Sequence, residues 1–163
     1  MGDSKSRKKR TDRDKTCRHC RSGAETFRFK HLGERFRFDV SLARKMVLDN
    51  RTPVEVDEES IRLELEDTRI HKEHLLHVDT KYPGIISHVW FPVNAHEEVH
   101  GHLLIDGNHR AARCLELGIP YYAYILTEEE SRQILLEGPT LADRKSDKES
   151  HSVELVSQDL VNC

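Results

Sequence analysis

No run of apolar residues in this chain approaches the length needed to cross a bilayer, so no membrane partner is expected. The basic opening, Met1 to Arg13, is not followed by the apolar segment of a secretory signal, and the expected location is cytoplasmic. Cysteine is sparse: Cys17, Cys20, Cys114 and Cys163 do not make a disulfide framework. Cys17 and Cys20 form a C-x-x-C pair, but no second pair exists. A structural Zn²⁺ on them would need His19, His31 or another subunit to complete its four ligands. A redox dithiol is disfavoured too, because the pair does not follow a strand and open an apolar helix. There is no internal repeat.

At 163 residues the chain suits one well-buried core and is short for two. Charge is unevenly spread. Lys5, Arg7, Lys8, Lys9, Arg10, Arg13, Lys15, Arg18 and Arg21 crowd the beginning, and Glu55 to Asp67 is acidic. A basic tail of this kind suits nucleic acid or another anionic surface, or simply a solvated end. The expected organisation is a basic disordered tail over residues 1–22, a single domain over 23–137 with an N-terminal hairpin elaboration, and a polar tail over 138–163.

Thr26 to Lys30 and Arg35 to Phe38 alternate apolar and charged side chains on either side of Leu32-Gly33, the pattern of a hairpin with one buried face. A short amphipathic helix follows, capped by Asp39 or Ser41. Val54-Glu-Val and Ile61 to Glu66 alternate again and are expected in a sheet or hairpin with the acids on its wet side. Ile85 to Phe91 has strand composition and is expected to stop at Pro92. A polar connection, Asn94 to Gly101, precedes a short strand, His102 to Ile105. A helix over Asn108 to Leu117 is expected to end at Gly118, followed by a strand over Tyr121 to Leu126. Thr127 with Glu130 is a capping box, starting a helix to about Leu136.

The chemistry concentrates at Asp106-Gly107-Asn108-His109-Arg110. An apolar strand delivers the chain to a glycine, and the helix that follows begins with backbone N–H groups lacking intrahelical partners. Those donors, with an imidazole and a guanidinium beside them, suit phosphate oxygens. Asp106 is placed to coordinate a divalent ion or an acceptor group. His96-Glu97-Glu98-Val99-His100 matches the H-E-x-x-H zinc-protease pattern, but Pro92, Asn94 and Gly101 leave no room for the helix that chemistry needs. Among the aromatic residues, Tyr122 is the expected exposed member, available to stack on a base.

The stretch Leu103 to Pro120, centred on Asp106-Gly-Asn-His-Arg110, resembles the signature of the ParB/sulfiredoxin-like superfamily, and most closely its Asp-Gly-x-His-Arg version, found in free serine kinases and ParB-like nuclease-domain proteins. The similarity covers residues 70–137. It implies a compact α/β fold of α+β type, with a small mixed sheet and packed helices. It also implies a bound nucleotide, ATP or ADP, with Mg²⁺, and Gly107, Asn108, His109 and Arg110 around its phosphates. An upstream segment, His74 to Pro83, contributes contacts in these families, which makes Asp79, Thr80 and Lys81 candidates. Kinases of the superfamily draw a glutamate base from upstream, for which Glu73, Glu97 and Glu98 are the candidates beside Asp106 and His109.

The catalytic cysteine of sulfiredoxin would fall at Asn108, which cannot form the sulfur adduct. The expected function is therefore nucleotide-dependent phosphotransfer to a small hydroxylated metabolite. The alternatives are a ParB-like nuclease or DNA-binding accessory protein, and a nucleotide-binding regulatory module without chemistry.

Overall fold

Phenylalanines alternate with arginine and lysine along the first two strands, so pleating sends the rings to one side and the cations to the other. β1 (Thr26–His31) and β2 (Glu34–Asp39) pair antiparallel, with Phe27 opposite Phe38 and Phe29 opposite Phe36. Leu32 and Gly33 between them take φ of 50° and 84°, the two left-handed positions of a tight hairpin turn whose twist matches the strands. The structure, a computed structural model, describes residues 26–139 apart from 49 and 95. The proposed N-terminal tail and all of the C-terminal one beyond Gly138 and Pro139, with Cys17, Cys20 and Cys163, lie outside the described residues.

Asp39 ends β2 and caps α1 (Val40–Met46), its Oδ1 accepting from the Leu42 N–H at 2.9 Å. β3 (Val54–Val56), α2 (Glu58–Leu65) and the single turn α3 (Lys72–Leu75) follow. Next come β4 (Gly84–Asn94), β5 (Glu97–Asp106), α4 (Asn108–Leu117), β6 (Tyr121–Ile125), α5 (Glu128–Ile134) and β7 (Leu135–Glu137). A three-stranded sheet runs β1-β2-β7, and a four-stranded mixed sheet runs β3-β6-β4-β5. In the second, only β4 and β6 are parallel, which requires the α4 crossover leading into β6.

The mixed sheet divides the interior in two, because consecutive residues of a strand face opposite sides. Ile85, Val89, Leu103 and Ile105 join Phe36, Phe38, Ala43, Val47 and Ile134, a core shared with the hairpin sheet, α1 and α5. Ile86 and Leu104, one step out of phase, join Ile61, Ala111, Cys114 and Tyr121 beneath α2 and α4. The result is a compact α+β fold with a small mixed sheet and several helices.

Four expectations are corrected. Ile61 to Glu66 is helical: Asp57 caps α2 through the Ser60 N–H at 2.8 Å, and Ile61 and Leu65, four apart, turn to the core while Leu63 faces solvent. β4 runs through Pro92 instead of stopping there. β6 pairs with β4 only over Gly84, Ile85 and Ile86, and the remainder is a two-stranded ribbon whose register shifts just after Pro92, conditions that tolerate a residue without an N–H. Glu97 to Gly101 is likewise β5 strand rather than a connecting loop, so the H-E-x-x-H residues from Glu97 onward alternate sides and do not share a helix face. The α5 helix ends at Ile134, after which Leu135 becomes extended and pairs with β2 as β7. The α4 helix, its Gly118 terminus at φ 63° and the Thr127–Glu130 capping box are as expected.

β5 is the last strand of the mixed sheet, and its outer edge receives one acceptor from α2: Glu64 Oε2 takes the Leu104 N–H at 3.0 Å. Burial pushes the Glu64 carboxyl above its usual range, with the Leu104 N–H acting partly against this. A carboxyl with a raised folded-state pKa binds more protons folded than unfolded, so this contribution to stability is lost as pH rises through the folded pKa. We expect the stability difference between Glu64→Gln and the parent to shift in favour of the variant from pH 4 to pH 7. Urea denaturation across that range measures it, and a difference independent of pH contradicts the assignment.

Candidate functional site

The strand-to-helix junction is built around Gly107, whose φ of 97° lies in the left-handed region. A Cβ there would stand 2.5 Å from the Tyr121 hydroxyl and 2.9 Å from the Gly84 Cα, so three elements meet where only a glycine fits. The Tyr121 hydroxyl donates to the Gly107 carbonyl at 3.2 Å, and the Ala111 N–H donates to the same oxygen at 2.9 Å. Burial pushes the Tyr121 phenol well above its ordinary range, which keeps it a donor. The Asn108 side chain turns back and donates to the Leu104 carbonyl at 3.2 Å, stapling α4 to the strand. Among the described residues no side chain caps the helix start.

Asp106 closes β5 and meets two guanidinium groups. Arg44, from α1, donates through Nε to Oδ2 at 2.9 Å and through Nη2 to Oδ1 at 3.2 Å, the two-point geometry of a bidentate pair. Arg110, one helical turn along from Asp106, brings Nη2 to 3.4 Å from Oδ2 and also donates to the Pro83 carbonyl at 3.3 Å. Its Nε is buried without a hydrogen-bond partner among the described residues. The hydrogen bond to Asp106 is the main reason the Arg44 guanidinium is held above its ordinary pKa, against the effect of burial.

These three residues form one wall of an open cavity of about 320 Å³, completed by Val47, Leu48, Tyr82, Pro83, Ile85 and Tyr124. Two cations, one carboxylate, two phenols and an apolar floor suit a ligand with an anionic end and a flat or apolar body. A neighbouring cavity of about 380 Å³ shares Tyr82 and Pro83 and adds Thr52, Pro53, Thr80, Lys81 and Tyr122. Asp79 shapes the approach to it by accepting the Lys81 N–H at 3.0 Å. Tyr122 is exposed, as its place in the strand suggested.

The remaining candidates lie elsewhere. His109 Nε2 accepts the His71 N–H at 3.1 Å, and its ring stands edge-on to His74 and stacked on His71, with centroids 4.6 and 5.7 Å away. It therefore braces α3 and does not line the arginine cavity. Glu73 is an exposed residue in the first turn of α3. Glu98 lies eight residues from Asp106 along β5, about 27 Å at strand rise. There it faces Arg132 at 3.4 Å and His100 at 3.6 Å. Among the described residues no group of three His, Cys, Asp or Glu is arranged to hold a metal ion. Cys17 and Cys20, the zinc candidates, lie outside those residues. Cys114 is on the buried face of α4, and its thiol is pushed up chiefly by that burial.

Arg44 was not singled out in the sequence; Tyr82 entered only within the His74 to Pro83 segment, and Tyr124 only as an aromatic residue expected in the core rather than at a ligand. Arg44 belongs to the exposed side of a short amphipathic helix, and nothing local marks it as the partner of a residue 62 positions away. No family model, curated protein or solved structure matches this chain. The ParB/sulfiredoxin resemblance accordingly rests on the motif residues themselves.

Gly107→Ala is expected to cost at least about 2 kcal/mol, from the positive φ and the clash with the Tyr121 hydroxyl. In a Tyr121→Phe background the penalty should shrink by roughly 1 kcal/mol, because the closest clashing atom is gone. Urea denaturation of the four proteins in this cycle measures the coupling. Additive effects would show that the two residues do not touch.

Proposed function

We propose that this domain binds a nucleotide, its phosphates at Arg44 and Arg110 and its remainder along Tyr82, Tyr124 and the adjoining Thr80–Lys81 cavity, and transfers a phosphoryl group to a small hydroxylated metabolite. The observation that carries the reading is the convergence of two arginines from separate elements on one carboxylate at the wall of an open cavity. An incoming phosphate offers the guanidinium groups more acceptor oxygens than Asp106 does, and it competes with that carboxylate for them. Asp106, released from part of its pairing, is then free to orient the acceptor hydroxyl and take its proton. The hydroxyl oxygen attacks the terminal phosphorus, and the nucleotide leaves with one phosphate fewer.

The Asp-Gly-x-His-Arg resemblance to free serine kinases supports the same chemistry. It requires one change of role, with anion binding assigned to Arg110 and Arg44, and His109 given to α3. Gly107 is buried beneath Tyr121 and Gly84, and of the helix start only Arg110 lines the cavity, so the anion site is assigned to the two arginines. Asp106 faces two cations and does not by itself fit a divalent ion, so Mg²⁺ enters only as the counter-ion of the nucleotide, and no step here rests on it. The engagement of both Asp106 oxygens, with Glu73 and Glu98 elsewhere, favours a second reading: a nucleotide-responsive module without chemistry.

Thermal shift with nucleoside mono-, di- and triphosphates, with and without Mg²⁺, tests the site. A ligand at one hundred times its Kd stabilises by about 2.7 kcal/mol. We expect that shift to vanish in Arg44→Gln and in Arg110→Gln and to persist in His109→Ala. No shift with any phosphorylated compound removes the proposal. Phosphorus NMR of the nucleotide with a panel of hydroxylated metabolites then separates transfer from binding alone, and binding without turnover selects the second reading.

A further inference from the structure

The outward face of the β1–β2 hairpin carries an arrangement that stability does not explain. Arg28 lies directly opposite Arg37, and Lys30 directly opposite Arg35. Like charges in directly opposed positions of an antiparallel pair are destabilising, and here two such pairs follow one another. Among the described residues one carboxylate is in strand register with them, and a neighbouring cavity of about 570 Å³ brings Glu64 and Asp67 beside Arg28 and Lys30. Glu137 of β7 is in register with Arg37, its carboxylate 4.0 Å from the Arg37 Nε, which is buried without a hydrogen-bond partner among the described residues. The side chains surround a shallow depression of about 450 Å³ lined by Arg28, Lys30, Arg35, Arg37 and Glu137 together with parts of Phe29 and Phe36. Arg28, Lys30 and Arg35 are exposed.

We infer that this face is a binding surface for the phosphate backbone of a nucleic acid. The two cation pairs lie two residues apart along the strands, about 6.6 Å at strand rise, and so present positive charge at regular steps. A regularly spaced polyanion fits such a row, and guanidinium forks suit phosphate oxygens. An anionic membrane would be favoured by apolar side chains among the cations. On this ribbon Phe36 and Phe38 are buried in the core and Phe27 and Phe29 pack against it, which leaves Leu32 at the turn as the single exposed large apolar side chain of the hairpin, too little to anchor in a bilayer. The sequence ahead of β1 is basic as well, from Lys5 to Arg21. This surface belongs to other strands than the arginine cavity and stands independently of the nucleotide reading.

The test uses the full chain, its hairpin variant Arg28→Gln/Lys30→Gln/Arg35→Gln/Arg37→Gln, and a tail variant with the nine early Lys and Arg changed to Gln. Fluorescence anisotropy with a labelled 25-base-pair duplex and a labelled single strand is followed from 50 to 200 mM salt. The hairpin variant is expected to bind at least tenfold more weakly at 100 mM salt, with the slope of log K against log salt for the duplex flattened by about 3–4. Its melting temperature should equal or exceed the parent's at low salt, since repulsion has been removed, which separates lost binding from lost folding. The tail variant should keep a hairpin-dependent component. Binding abolished by the tail variant and untouched by the hairpin variant would overturn the inference. So would the absence of binding by the parent at 50 mM salt, or hairpin-dependent binding to phosphatidylserine vesicles without binding to either oligonucleotide.

Discussion

A carboxylate at the end of an apolar strand is in an expensive position unless cations reach it, and in this fold two do. Asp106 leaves β5 at the boundary between the two cores. Arg44 comes to it from α1, which packs on one side of the mixed sheet, and Arg110 from α4, which packs on the other. The cluster ties the two layers together where the main chain turns from β5 into α4. It is only partly buried, Arg44 being 45 % exposed, so its value to stability is modest. Its geometric effect is larger, because it fixes two guanidinium groups on the rim of an apolar cavity.

The same junction shows how a contiguous motif is divided by helix geometry. Successive residues on an α-helix point about 100° apart, and here His109 and Arg110 are turned to different neighbours. Arg110 falls on the side of Asp106 and Pro83, and His109 falls on the side of His71 and His74. Asn108 is spent on the strand behind it. A motif that reads as one anion site in sequence is thus three separate tasks: a strand staple, a brace for α3 and a cavity arginine.

Much of the scaffold was legible because its signals are local. The Phe-charge alternation around Leu32-Gly33, the Asp39 cap, the α4 helix ending at Gly118 and the Thr127–Glu130 box each involve residues within a few positions of one another. The failures have equally definite causes. Ile61 to Glu66 alternates over too few residues to separate a strand from a helix, and the Asp57 cap with the Ile61–Leu65 spacing decides it. Pro92 is a strand breaker only where its N–H is required. β7 exists because β2 offers an open edge to the chain leaving α5, which is a property of the assembled sheet.

The sequence by itself determined where the strand-to-helix junction falls, that glycine must occupy it, and which face of each amphipathic element turns inward, because steric and periodic constraints act between near neighbours. Only the tertiary structure decided that Arg44 pairs with Asp106, that Tyr82 and Tyr124 line the same cavity, that His109 is turned from it, and that four cations stand in opposed pairs on one hairpin face. Those facts depend on how layers stack and on strand register, and contacts between residues tens of positions apart leave no periodic trace in a single chain.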